Sequence, residues 1–303
     1  MIRNGKKLVH YTSAAAAISI IRYGRVWMRN LRCMNDFMEV DHGIQLMQRS
    51  ITPPVDTQAE HGLRALMSAL NATFPGLADD GVKLFDNWNF GLRNKTYVTC
   101  LSERESNEET FGRLSMWRSY TANQVGVALV INPMPLYSLS QTFGAFSSPV
   151  HYFGDSEVGA TFEEIAKSVL DNKDLLATKD RQDVLGHFFN LLRATAMCTK
   201  HPGFVEEREW RIMHTEKLDD RGILELDVET IAGIPQQVYK IPLQDTEAGG
   251  LTGITIPDLL EAVIIGPTQF PIVVWDALAL ELERAGVKDA VNKVSYSGIP
   301  LRT

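Results

Sequence analysis

Apolar residues fall into short runs and helically spaced stripes along this chain, without steady alternation of strand and helix. The run Lys7–Tyr11 reads as a strand. Thr12 or Ser13 then caps a helix over Ala14–Tyr23, because a hydroxyl there satisfies orphan amides of the first turn. Gly24 stands where a helix ends in left-handed backbone. Val26-Trp27-Met28 is a brief strand, and Asn30–Glu39 is a polar loop. From Val40 to Leu92 the spacing is helical, broken by Pro53-Pro54 and by Pro75–Gly81 into two or three helices. Thr96–Ser102 is β-branched and aromatic and predicts a strand, followed by an acidic loop, Glu103–Glu109. A helix is expected around Leu114–Thr121, and the wholly apolar Gly126–Ile131 predicts a central strand.

Further on, Ser148–Phe153 is a strand candidate, and Phe162–Cys198 is a long helical stretch divided near Lys173–Asp183. Trp210–Met213, Ile223–Val228, Gln237–Ile241, Ala262–Ile265 and Val294–Ser297 add strands, with a helix at Ile272–Ala285. Mixed helices and strands of this kind predict an α+β fold with a split or mixed sheet. One domain over residues 1–303 is expected, with helical insertions at about 40–92 and 161–200. No Gly-rich turn of the P-loop or dinucleotide-binding type is present.

Bulk properties narrow the class. The 303 residues are 45% hydrophobic and 22% charged, ordinary for a folded protein. A net charge of −7 gives no global basic field, so nucleic acid is a possible but not a favoured partner. Three cysteines do not make a disulfide framework. Neither a signal-type apolar segment nor a membrane-length apolar run stands out, so a cytoplasmic location and no membrane partner are expected.

The densest polar feature is Glu207-Arg208-Glu209-Trp210-Arg211, a charge cluster entering an apolar strand. If the strand includes all of it, Glu207, Glu209 and Arg211 share one face. Paired carboxylates suit a site where one group holds a hydroxyl or a developing cation and the other takes a proton. The plain alternative is a solvated strand end with Glu–Arg pairs worth less than about 1 kcal/mol each. His10-Tyr11-Thr12-Ser13 sits where a strand feeds a helix N-terminus, a place that presents amides and side chains to anions. There the alternative is a packed histidine with an ordinary cap. Trp117 and Tyr120, three apart on a helix, form a core pair or a stacking wall for a flat ring. Ser102 ends a strand and is a further candidate. Asn35-Asp36 with Glu39 reads as a turn, and no metal site is expected.

In order, these motifs resemble a known pattern. His10-Tyr11-Thr12-Ser13, Trp27 with Asn35-Asp36 and Glu39, and Thr99–Ser102 come first. Met116–Tyr120 with Gly126-Val127-Ala128, Glu207–Arg211 and Ser297–Arg302 follow. The chain resembles the bacterial family catalogued as domain of unknown function 2971. It also looks like the ADP-ribosyltransferases, through their His-Tyr-Glu arrangement and the Glu-x-Glu turn of their toxin-type branch. That second resemblance implies NAD as substrate, with ADP-ribose passed to an acceptor the motifs do not identify, in stress or phage defence. It implies catalytic Glu209 and Glu207, His10 on a ribose, Tyr120 or Trp117 stacked on nicotinamide, and Ser102 on the strand preceding the glutamates. Tyr11, Thr12, Ser13 and Arg211 complete the candidate nucleotide site. Two other classes stay open: a nucleotide-sensing or interaction module without turnover, and a nucleic-acid processing enzyme using Lys200, Arg208 and Arg211.

Overall fold

The computed structural model describes residues 7–34, 39–51, 61–120, 124–137, 142–231, 233–246 and 249–300, without the side chains of Glu39 and Tyr120. The Asn35-Asp36 turn, the side chains of Glu39 and Tyr120, and Leu301-Arg302 therefore lie outside the described residues. The protein is α+β with a mixed sheet, as the pattern predicts. It divides into two compact units: residues 1–30, 97–147 and 206–303, and residues 31–96 and 148–205. Among the described residues no helix is long and apolar enough to cross a membrane.

The first unit holds the sheet. Its strands are β1 (Lys7–Ser13), β2 (Arg25–Asn30), β3 (Thr96–Arg104) and β4 (Gly126–Ile131), then β5 (Phe146–Pro149) at the unit's margin. After β6 (His151–Tyr152) and β7 (Thr199–Lys200), which pair in parallel within the second unit, come β8 (Glu209–Thr215) and β9 (Glu225–Ile231). Then follow β10 (Ile234–Pro242), β11 (Leu260–Ile265) and β12 (Val294–Tyr296). The main path runs β12-β11-β4-β1-β3-β2-β10-β9, parallel only at β11–β12. Strand β2 is paired with β3 at Val98 and Tyr97. Off this path β8 also pairs with β3, and the Glu103 amide donates to the Arg208 carbonyl (2.9 Å).

Strand alternation sorts the side chains into two layers. Leu8, Leu101, Leu129, Trp210 and Ile212 face one core, covered by α1 (Ala14–Tyr23) and by a C-terminal helix, Pro271–Arg284. Ser13 is the residue that caps α1, accepting from the Ala16 amide (3.1 Å), and Gly24 ends it at φ +58. Val9, Tyr11, Ala128, Val130 and Ile264 face the other way, against Trp117.

Both predicted helical insertions belong to the second unit. There α2 (Glu39–Ile51), α3 (Gly62–Thr73) and α4 (Leu77–Asn94) pack with α6 (Asp155–Asp171) and α8 (Arg181–Met197), while the four-residue α7 (Lys173–Leu176) joins α6 to α8. In the first unit α5 (Leu114–Tyr120) carries Trp117, α9 (Ile256–Leu259) precedes β11, and the C-terminal helix is α10.

Trp117 is completely buried, and Gly112 and Gly266 press against its indole. A Cβ at Gly266 would lie 2.7 Å from Trp117 Cε3. Gly266→Ala should therefore overpack the site and destabilise the fold by about 1–3 kcal/mol, seen as a lower urea midpoint with an unchanged slope. An unchanged midpoint would mean the indole yields freely.

Candidate functional site

The predicted charge cluster is a corner, not one straight strand. Glu207 ends a 3-10 turn, Pro202–Glu207, and Glu209 opens β8. Arg208 between them has φ +42, left-handed backbone that few non-glycine residues adopt. The expectation that Glu207, Glu209 and Arg211 share a strand face is thus corrected: Glu209 and Arg211 lie on the strand, and Glu207 precedes it. The cause is visible in the main chain. The carbonyls of Glu206 and Glu207 turn to a guanidinium instead of joining a ladder.

That guanidinium belongs to Arg113, buried and just ahead of α5. Its Nη1 donates to the carbonyls of Glu206 (2.6 Å) and Glu207 (2.9 Å) and to the Ser102 hydroxyl (2.6 Å). Its Nη2 donates to the Glu103 carbonyl (2.6 Å) and to Glu108 Oε2 (3.0 Å), and Nε to Glu108 Oε1 (2.8 Å). The Ser102 hydroxyl in turn donates to the Glu207 carbonyl, and the Arg113 amide donates to the Tyr11 hydroxyl (3.0 Å). Arg208 Nη1 lies 2.7 Å from Glu105 Oε1 and 3.8 Å from Glu108 Oε1. Two arginines and two glutamates thus join β1, β3 and the corner before β8 in one network.

Burial acts to raise the Glu108 carboxyl. The Arg113 hydrogen bonds, the Glu105 amide and the two arginine charges outweigh it and hold the carboxyl below the usual glutamate value. Burial pushes the Tyr11 phenol up, against the opposing Arg113 amide and charge.

The next buried pair is on β8 itself. Arg211 Nε donates to Glu209 Oε1 (2.8 Å) and Nη2 to Oε2 (3.3 Å), with the two side chains 1% and 6% exposed. Since Trp210 and Ile212 face the α1/α10 core with Leu101, alternation turns Glu209 and Arg211 to the opposite face, as it does Ser102. Tyr11 lies on that same face of β1.

His10 lies on the other side. Its Nδ1 donates to the Cys100 carbonyl (2.9 Å), and it lines an apolar cavity of about 60 Å³ with Leu101 and Ile212. Burial lowers its pKa, against the Cys100 carbonyl. The structure therefore does not bring His10 and Glu209 to a common cleft, because they are on opposite faces of the sheet. Trp117 is in the core, edge-on to Tyr11 (5.0 Å, 76°), with its indole N–H donating to the Phe111 carbonyl (2.7 Å). Its expected stacking role finds no exposed ring. The Ser13 hydroxyl is occupied as the helix cap, and Thr12 is half-buried beside Val127.

Arg113 and Glu108 were missing from the sequence-derived site. The local signal is the Glu105-x-x-Glu108 box, in which the Glu105 amide donates to Glu108 Oε2 (3.0 Å), with a lone cation five residues later.

A family model described as a protein of unknown function (DUF2971) matches residues 116–212, a stretch that includes most of α5, all of β4 and the Glu207–Arg211 corner. This supports the family resemblance over that stretch. No curated protein and no solved structure matches the chain.

The depressed Glu108 carboxyl means that its stabilising contribution is complete above the unfolded-state value and is lost as pH falls through the folded one. Glu108→Gln should cost about 3 kcal/mol at neutral pH, because it leaves Arg113 buried and incompletely paired. The gap to wild type should narrow as pH drops below the ordinary glutamate range, measured by denaturant titrations at several pH values.

Proposed function

We propose that the chain is an ADP-ribosyltransferase-like protein that binds and cleaves NAD on the face of β8, β3 and β1 that carries Glu209, Ser102 and Tyr11. The observation that supports this reading best is the arrangement of those three strands. The glutamate strand lies beside the serine strand, both side chains are on one face, and a turn holding Glu207 leads directly into Glu209. In this reading Tyr11 replaces His10 as the β1 contribution.

The chemistry follows from charge. Breaking the bond between nicotinamide and ribose develops positive charge on the sugar, and a fixed carboxylate next to it lowers the barrier. Glu209, held by the Arg211 fork, presents a fixed anion. Glu207, one residue outside the strand, stands where it can orient or deprotonate an acceptor, either water or a nucleophilic group. The reaction asks for no nucleophile and no metal from the protein.

A second reading is favoured by a different observation. Arg113 already donates to protein acceptors from all three of its nitrogens, and both Glu209 oxygens meet Arg211. Such an internally satisfied centre suits a module that holds a nucleotide without turning it over.

One experiment separates the two. Purified protein with NAD should release nicotinamide, and Glu209→Gln should reduce that release by about a hundredfold or more while the variant stays folded. NAD bound and recovered intact would favour the sensing module. Absence of both binding and release would remove both readings.

A further inference from the structure

The second unit contains a cavity of about 510 Å³, within the range of small-molecule sites. Its walls come from three helices: Leu66 and Leu70 of α3, Ile165 and Val169 of α6, and Phe188 and Leu191 of α8. The way these helices pack explains why it stays open. Helix α3 packs along α6, while α8 packs on α2 and α4, so the space between α8 and the α3–α6 pair is bridged at one end by α7. The apolar character continues outward, because Leu170 and Leu175 are exposed beside the α6–α7 junction.

Polar groups stand only at the mouth: Lys179, Asp183 and His187, all exposed. Lys179 and Asp183 bring one positive and one negative charge, so the mouth attracts neither net anions nor net cations. It does supply a hydrogen-bond donor and an acceptor close to an apolar wall.

We propose that this cavity is a binding site for a neutral amphipathic small molecule, with an apolar body among α3, α6 and α8 and an amide or similar uncharged head at Lys179 and Asp183. The site is separate from the Glu209 face and does not depend on the reading given to that face. Apolar burial supplies most of the affinity, and the two opposite charges of the mouth select the head group.

The full chain should bind the neutral fluorophore N-phenyl-1-naphthylamine with one-to-one stoichiometry. Decanamide should displace it about tenfold more effectively than either decanoate or decylammonium, a difference of about 1.4 kcal/mol. Val169→Trp, placed on the half-buried wall, should fill the space and weaken probe binding by at least about tenfold with the thermal transition retained. Leu191→Trp from the facing helix serves the same purpose if the first variant does not fold. Asp183→Asn should shift the preference towards decanoate, and Lys179→Ala towards decylammonium. The proposal is overturned if the probe does not bind stoichiometrically, or if a folded Trp variant binds it as well as wild type. Charged ligands matching decanamide would overturn it too, as would a concentration-dependent dimer that Val169→Trp abolishes, which would make the cavity an interface between copies.

Discussion

The buried pair between Arg113 and Glu108 is the contact on which the candidate site depends. A guanidinium excluded from water is tolerated only when its donors are matched, and a carboxylate alone does not match them all. The remaining donors reach the main-chain carbonyls of Glu103, Glu206 and Glu207 and the hydroxyl of Ser102. One side chain therefore ties the end of β3 to the corner that starts β8, and its own amide reaches Tyr11 on β1. The left-handed backbone at Arg208 is held in the same way, between Glu105 and the captured carbonyls.

Behind this polar network the sheet divides its chemistry by face. One side is a mainly hydrocarbon layer that also holds His10, kept towards its neutral form by burial and oriented by the Cys100 carbonyl. The other side carries Tyr11, Ser102, Glu209 and Arg211, with Trp117 sealing its apolar part between two glycines. The period of two along a strand makes this partition unavoidable: neighbouring residues such as His10 and Tyr11 cannot serve the same face.

Much of the fold was legible from periodicity. The helix at Ala14–Tyr23, its hydroxyl cap at Thr12 or Ser13, its Gly24 stop and the buried strand Gly126–Ile131 follow from local rules, and the structure selects Ser13 as the cap. The division of the long helical stretch near Lys173–Asp183 also falls where turn-forming polar residues accumulate. The site was legible only in part. Glu209 and Arg211 were placed on one strand face correctly, since alternation is local. Glu207 was not, because the corner at Arg208 is imposed by Arg113, almost a hundred residues earlier, and no local pattern encodes such a contact. The pattern shows Glu103–Glu109 only as an acidic loop for the same reason: the cation that draws Glu108 inward is identifiable only once the chain is folded.

The claim that Arg113 holds the corner is tested most directly by native-state hydrogen exchange, residue by residue, on wild type and Arg113→Met. The Glu103 amide, which donates to the Arg208 carbonyl, and the amides of β8 are the reporters, with α3 and α6 of the second unit as internal reference. The expected result is faster exchange at Glu103 and along the first residues of β8 in the variant, with α3 and α6 unchanged. Equal protection of Glu103 and β8 in the two proteins would contradict the assignment, because the corner would then hold its shape without the guanidinium.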